Sequence, residues 1–144
     1  MMSTRLLSSS TSMARRYLGL DVGTKRIGVA EADDMVRIAI TLDTIEVDGT
    51  EVERILGIIV ADRITDIVVG YPRNQSGEPT AQTAYAERFA TQLHDSGAKL
   101  HFQDESLTSV LAEQRLKDFG KSYSKGDIDA QAACIILEDF LENT

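Results

Sequence analysis

Four acids in this chain stand where acids are costly. Asp21 interrupts the apolar stretch Leu18 to Val22, Asp104 and Glu105 end the strand-like segment that starts at Ala98, and Asp129 falls in an otherwise apolar helical stripe. A carboxylate buried without a partner is strongly disfavoured, so each is satisfied by donors, holds a cation or is kept for chemistry. Asp21 is flanked by Gly19, Gly23 and Gly28, which keep the backbone close and leave room for a substrate or metal to approach.

The elements that must position these acids follow from the pattern of apolar residues. Leu18 to Val22, the turn Gly23-Thr24-Lys25 and Ile27 to Ala32 make an antiparallel hairpin. Val36, Ile38, Ile40 and Leu42 alternate with Arg37, Ala39 and Thr41, which predicts a third, half-buried strand. A helix is expected over 50–64, a fourth strand over 66–70, a polar loop over 73–79 and a second helix from Thr80 to a stop at Gly97. A fifth strand over 98–103 and helices over 107–119 and 127–141 complete the chain.

Crossover helices return strands parallel and right-handed, so the reading is an α/β fold with a five-stranded mixed sheet, order 3-2-1-4-5, flanked by helices. Ligands of open α/β sheets bind at the C-terminal ends of the strands. The first and fifth strands lie two spacings apart, about 9.6 Å, with Gly70 ending the strand between them. Asp21 and the Asp104-Glu105 pair could therefore share a cation across it. In the last helix, about 100° per residue places Asp129 in the stripe of Ala132, Ala133, Ile136 and Phe140 and turns Asp127 away. Asp127 is expected as a capping residue and Asp129 as a functional one.

Composition narrows the classes. The 144 residues, 42% of them apolar, suit one domain over 16–144, with 1–15 as a disordered extension and Met13 as an alternative start. A formal charge of −8 argues against a bulk electrostatic nucleic-acid binder. It leaves room for local basic groups: Arg15, Arg16, Lys25 and Arg26 near Asp21, and Arg115, Lys117, Lys121 and Lys125 further on. The single Cys134 excludes a disulfide framework and fits a reducing cytoplasm, and His94 and His101 have no zinc-type spacing. No run is apolar enough to span a membrane.

The set Leu20-Asp21-Val22-Gly23-Thr24-Lys25-Arg26-Ile27-Gly28-Val29-Ala30, Val69-Gly70-Tyr71-Pro72 with Gly77, Asp104-Glu105-Ser106-Leu107-Thr108 and Asp129-Ala130-Gln131-Ala132-Ala133 resembles the YqgF/RuvX family, from about Arg16 to Glu142. The resemblance implies an RNase H-like fold and a metal-dependent endonuclease for structured nucleic acid. Its implied substrate is the 5′ end of precursor 16S rRNA, with a Holliday junction-like DNA as the alternative. Carried over, Asp21, Glu105 and Asp129 are the catalytic and metal-binding acids, with Asp104 adjoining them. Oxygen donors suit Mg²⁺ or Mn²⁺. Lys25, Arg26, Arg73 and Asn74 are expected to contact the nucleic-acid backbone. Ser106 stands where the family has Arg, which removes a basic group beside the site.

Two readings from other classes compete. Asp21-Val22-Gly23-Thr24 also resembles the first phosphate loop of the actin, Hsp70 and sugar-kinase superfamily, but those proteins close two such domains around a cleft and this chain has length for one. A nucleic-acid or protein-binding adaptor without turnover is the other, favoured by the acidic pI of about 4.7.

Overall fold

In Arg-Tyr-Leu-Gly-Leu-Asp-Val, Leu18, Leu20 and Val22 fall on one face and Tyr17, Gly19 and Asp21 on the other. That is how β1 (Arg16–Val22) lies in the computed structural model, which describes residues 14–72, 76–105 and 108–144. β2 (Arg26–Asp33) pairs with it antiparallel, Asp21 opposite Gly28, and the turn is closed by the Gly23 amide donating to the Arg26 carbonyl at 3.0 Å. Helix α1 (Glu51–Ala61) leads to β5 (Asp66–Pro72), parallel to β1. Helix α2 (Ala81–Thr91), capped by Thr80, leads through a short 3₁₀ turn and Gly97 to β6 (Lys99–Glu105), parallel to β5. Helices α3 (Thr108–Phe119) and α4 (Lys125–Glu142) follow. No helix among the described residues is long and apolar enough to cross a membrane.

The expected third strand is corrected. Of the expected strand, Ile40–Thr41 pairs with β2 as β3, and Ile45–Glu46 forms a separate β4 against the start of β2, so the sheet has six strands among the described residues. Its main path is β3-β2-β1-β5-β6, the expected order once β4 is counted. The cause is local: the Asp33 side chain accepts from the Val36 amide at 2.7 Å, and Arg37 takes a left-handed φ of 60°. Arg37 then donates to the Leu141 carbonyl at 2.5 Å, so the chain leaves the sheet before its alternation can be used. Met35, Val36 and Ile38 consequently stay exposed. The expected extension lies, up to residue 13, outside the described residues.

Each face of the sheet has its own core. Leu18, Leu20, Ile27, Val29, Ile67 and Val69 pack against Ile55 and Ile59 of α1 and Ala86, Phe89 and Ala90 of α2. On the other face Tyr17, Ala30, Ala32 and Val68 meet Ala133, Cys134, Ile136 and Leu137 of α4. The small residues there set how near the helix comes. A Cβ on Gly19 would lie 3.0 Å from the Ala133 carbonyl oxygen, and one on Gly28 would overlap the backbone of Asp129. Asp66, fully buried where β5 begins, accepts from Arg15 at 2.5 Å and Thr65 at 2.7 Å and lies 2.7 Å from His101 Nε2. His101 is thus part of a structural clamp.

Two glycines give opposite expectations. Gly28→Ala forces α4 off the sheet and should lower stability in urea unfolding by about 1–3 kcal/mol, the usual cost of overpacking. Gly57→Ala, in the middle of α1 with open space where the methyl would go, should raise it by about 0.8–1 kcal/mol through helix propensity.

Candidate active site

Strand alternation decides which acids can meet. Paired residues share a face, so the register Asp21–Gly28, Gly19–Val68, Gly70–Gln103 and Pro72–Glu105 places Asp21 and Glu105 together on the α4 side. Asp104 pairs with Tyr71 and falls on the opposite side, where Tyr71 and Phe102 form an edge-to-face ring pair 5.3 Å apart. Neighbours in a strand point to opposite faces, so the register sets Asp104 apart from Asp21 and Glu105.

Gly70 makes room for Glu105. A Cβ at position 70 would come within 2.5 Å of Glu105 Oε2 and 2.6 Å of the Ile136 side chain, so this carboxylate occupies the space above β5 that a larger residue would fill. The third acid is set by the start of α4. Ser124 Oγ accepts from the Asp127 amide at 3.2 Å while Asp127 accepts from the Ser124 amide at 2.9 Å, a reciprocal cap that employs Asp127 and leaves it exposed. Asp129 lies just beyond, half-buried over Gly28, and its Oδ2 accepts from Arg26 Nε at 2.8 Å.

The electrostatics single out Asp21 among the three acids. Burial first, then the negative fields of Glu105 and Asp129, push the Asp21 carboxyl up to about 8. Burial also raises Glu105, against a hydrogen bond from the Thr108 hydroxyl that lowers it. A half-buried carboxyl raised by desolvation and by like charges, as Asp21 is, marks a functional-site candidate.

A model of the RuvX family, described as Holliday junction resolvase, matches residues 15–143. This chain belongs to the RuvX family. A protein of Chlorobaculum tepidum provisionally named a pre-16S rRNA nuclease is 36% identical over 141 residues, covering 93% of this chain and 98% of that protein. One from Chloroflexus aurantiacus with the same name is 39% identical over 130 residues, 87% of this chain and 85% of the other. Among solved structures, the RuvC of T. thermophilus in complex with Holliday junction substrate shares 13% identity and a TM-score of 0.57 over 90% of this chain and 97% of its own. That likeness establishes the RNase H-like fold of this RuvX-family chain.

The acids of this RuvX-family chain fit a hard divalent cation in chemistry: three carboxylates from three elements, with Asp21 driven toward protonation by burial and then by its like-charged neighbours. Among the described residues, though, no three Asp, Glu, His or Cys side chains are already gathered as a metal-holding set. Asp129 is engaged by Arg26 instead. Arg26, expected on the nucleic acid, was therefore only half understood from sequence. Counting back by two from Gly28 places it on the Asp21 face, and that was the available signal. Lys25 is exposed at the hairpin turn, while Arg73, Asn74 and Ser106 lie outside the described residues. Cys134 is buried and its thiol is pushed up to about 11 by burial, which suits a core residue and not a nucleophile.

The raised Asp21 has a measurable sign. Its carboxyl binds a proton more tightly folded than unfolded, where the value is near 3.9. Stability in chelator should then fall as pH rises from about 4 through 8. Glu31, pushed up to about 7 chiefly by burial, adds a slope of the same sign in every variant. The informative quantity is the difference: Asp21→Asn should gain on wild type steadily between pH 5 and 8 in thermal melts. A constant gap would mean that protein donors already compensate Asp21.

Proposed function

We propose that this chain is a divalent-metal-dependent endonuclease that hydrolyses phosphodiester bonds in structured nucleic acid, with the 5′ end of precursor 16S rRNA as its substrate. The observation that supports the reading most is the placement of Asp21 and Glu105 on one face at the C-terminal edge of the sheet, with Asp129 over Gly28 beside them and Asp21 raised by burial and by the other two. The names carried by its relatives favour precursor rRNA, and the family description favours a branched DNA as the second candidate.

In this reading Asp21, Glu105 and Asp129 hold Mg²⁺ or Mn²⁺, with Asp21 between the other two. The metal would supply Lewis-acid stabilisation of the phosphoryl oxygens and a water acidic enough to attack at neutral pH. The protein's own part is to orient and to screen. Gly70 and Gly28 let the acids converge, and α4 covers the sheet beside them. Lys25 at the hairpin tip and the Arg26 guanidinium bind the phosphate backbone, which lets a chain of charge −8 bind a polyanion locally.

The test is cleavage of a panel of precursor 16S rRNA fragments and four-way DNA junctions in Mg²⁺, Mn²⁺ or chelator. Asp21→Asn, Glu105→Gln and Asp129→Asn should each remove metal-dependent cleavage. Asp127→Asn should retain most of it and lose only about 0.5–2 kcal/mol of stability with the cap. Asp104→Asn should also stay active, because its side of the sheet faces α2. Binding of the panel without cleavage under any metal would replace the nuclease by an adaptor.

A further inference from the structure

If Asp129 serves a cation, it is already spoken for: its Oδ2 receives the Arg26 Nε–H at 2.8 Å. The two side chains are 27% and 25% exposed, so the pair is partly withdrawn from water and is not one of the freely solvated ion pairs that contribute almost nothing. Among the described residues, the charged groups that act on Asp21, after burial, are Glu105 and Asp129. Arg26 is thus the counter-charge of one acid of the three.

We propose that Arg26 competes with the divalent metal for the Asp129 carboxylate, and that the guanidinium passes to a substrate phosphate when the metal takes Asp129. The inference rests on the reading of Asp21, Glu105 and Asp129 as metal ligands. Charge balance supports it: the guanidinium cancels one unit of whatever negative charge the three acids carry. Removing the guanidinium therefore strengthens the attraction for a divalent ion. Geometry supports it too. Arginine's planar fork matches carboxylate and phosphate alike, and only Nε is used on Asp129. Metal and nucleic acid then bind cooperatively, each raising the affinity of the other by the same factor.

The experiment titrates Mn²⁺ into the full chain without nucleic acid and reads affinity by calorimetry, with the melting midpoint as a second readout. The proteins are wild type, Arg26→Gln, Arg26→Lys, Lys25→Gln, Asp21→Asn and Asp129→Asn. Arg26→Gln should bind Mn²⁺ at least about fivefold tighter, the lower end of ordinary coupling between two ligands of one group. Arg26→Lys should fall between it and wild type, and Lys25→Gln should match wild type because an exposed charge is screened. Equal or weaker binding by Arg26→Gln, or an equal gain in Lys25→Gln, overturns the competition while the ligand assignment stands. If Arg26→Gln does not fold, Arg26→Lys decides alone: a gain supports the proposal, and parity or loss overturns it. Wild type that takes up no Mn²⁺, or Asp21→Asn and Asp129→Asn that bind it undiminished, overturns the ligand assignment and this inference with it.

Discussion

The contact on which the rest of the molecule depends is the seating of α4 on the sheet, backbone against backbone. Gly19 faces the Ala133 carbonyl and Gly28 lies under Asp129 with no room for a methyl group. A helix resting on longer side chains would stand further off, and an aspartate, with one methylene, would no longer act on Asp21. Both ends of the helix are tied down as well. Thr44 donates to the Gly126 carbonyl at 2.8 Å, and Arg37 to the Leu141 carbonyl at 2.5 Å. The same arginine whose turn ends the β3 alternation thereby secures the far end of the helix that carries the third acid.

The sheet treats acids oppositely at its two ends. Where β5 begins, burial alone would raise Asp66, but hydrogen bonds from Thr65, His101 and Arg15 outweigh it and hold the carboxyl below its usual range. Where the strands end, Asp21 and Glu105 are raised, and the charges nearest Asp21 have its own sign. A compensated acid stabilises the fold, and an uncompensated one is kept at a cost that only a ligand relieves. That contrast sets the compensated carboxylate apart from the two proposed as ligands, as does burial: Asp66 is fully buried, Asp21 and Glu105 only half-buried.

The hairpin and the turning of Asp129, not Asp127, toward the sheet were legible in the sequence because each follows from a short-range period of two or 3.6 residues, and the strand order because crossover helices return strands parallel. What escaped depended on partners distant in the chain or on side-chain chemistry within a turn. The alternation of Val36 to Leu42 is genuine, yet the Asp33 cap and the left-handed Arg37 divert it before a sheet can form. Asp104 was grouped with Glu105 by adjacency, although the same period-two rule separates them once the register with Tyr71 and Pro72 is known. The engagement of Arg26 with Asp129 spans 103 residues, and that of Arg15 with Asp66 spans 51. Neither pairing leaves a local trace. The sequence shows Gly70 as a gap in the edge; its reason is the Glu105 carboxylate that fills the gap.

The order of the three acids along the chain governs when such a site can exist. Asp21 lies in the first strand, Glu105 ends the last strand, and Asp129 belongs to the last helix. During synthesis the hairpin can form early, but β1 must wait for β5 and then for β6 to build the edge, and the final acid arrives only when α4 docks on Gly28. An unfinished chain therefore holds a lone aspartate on a strand that has no cover on that face. On the proposed reading of these acids as the hydrolytic set, activity becomes a property of the completed fold, gained in a single late step, so a nascent chain emerging from a ribosome would be harmless to the RNA around it until its last helix is in place.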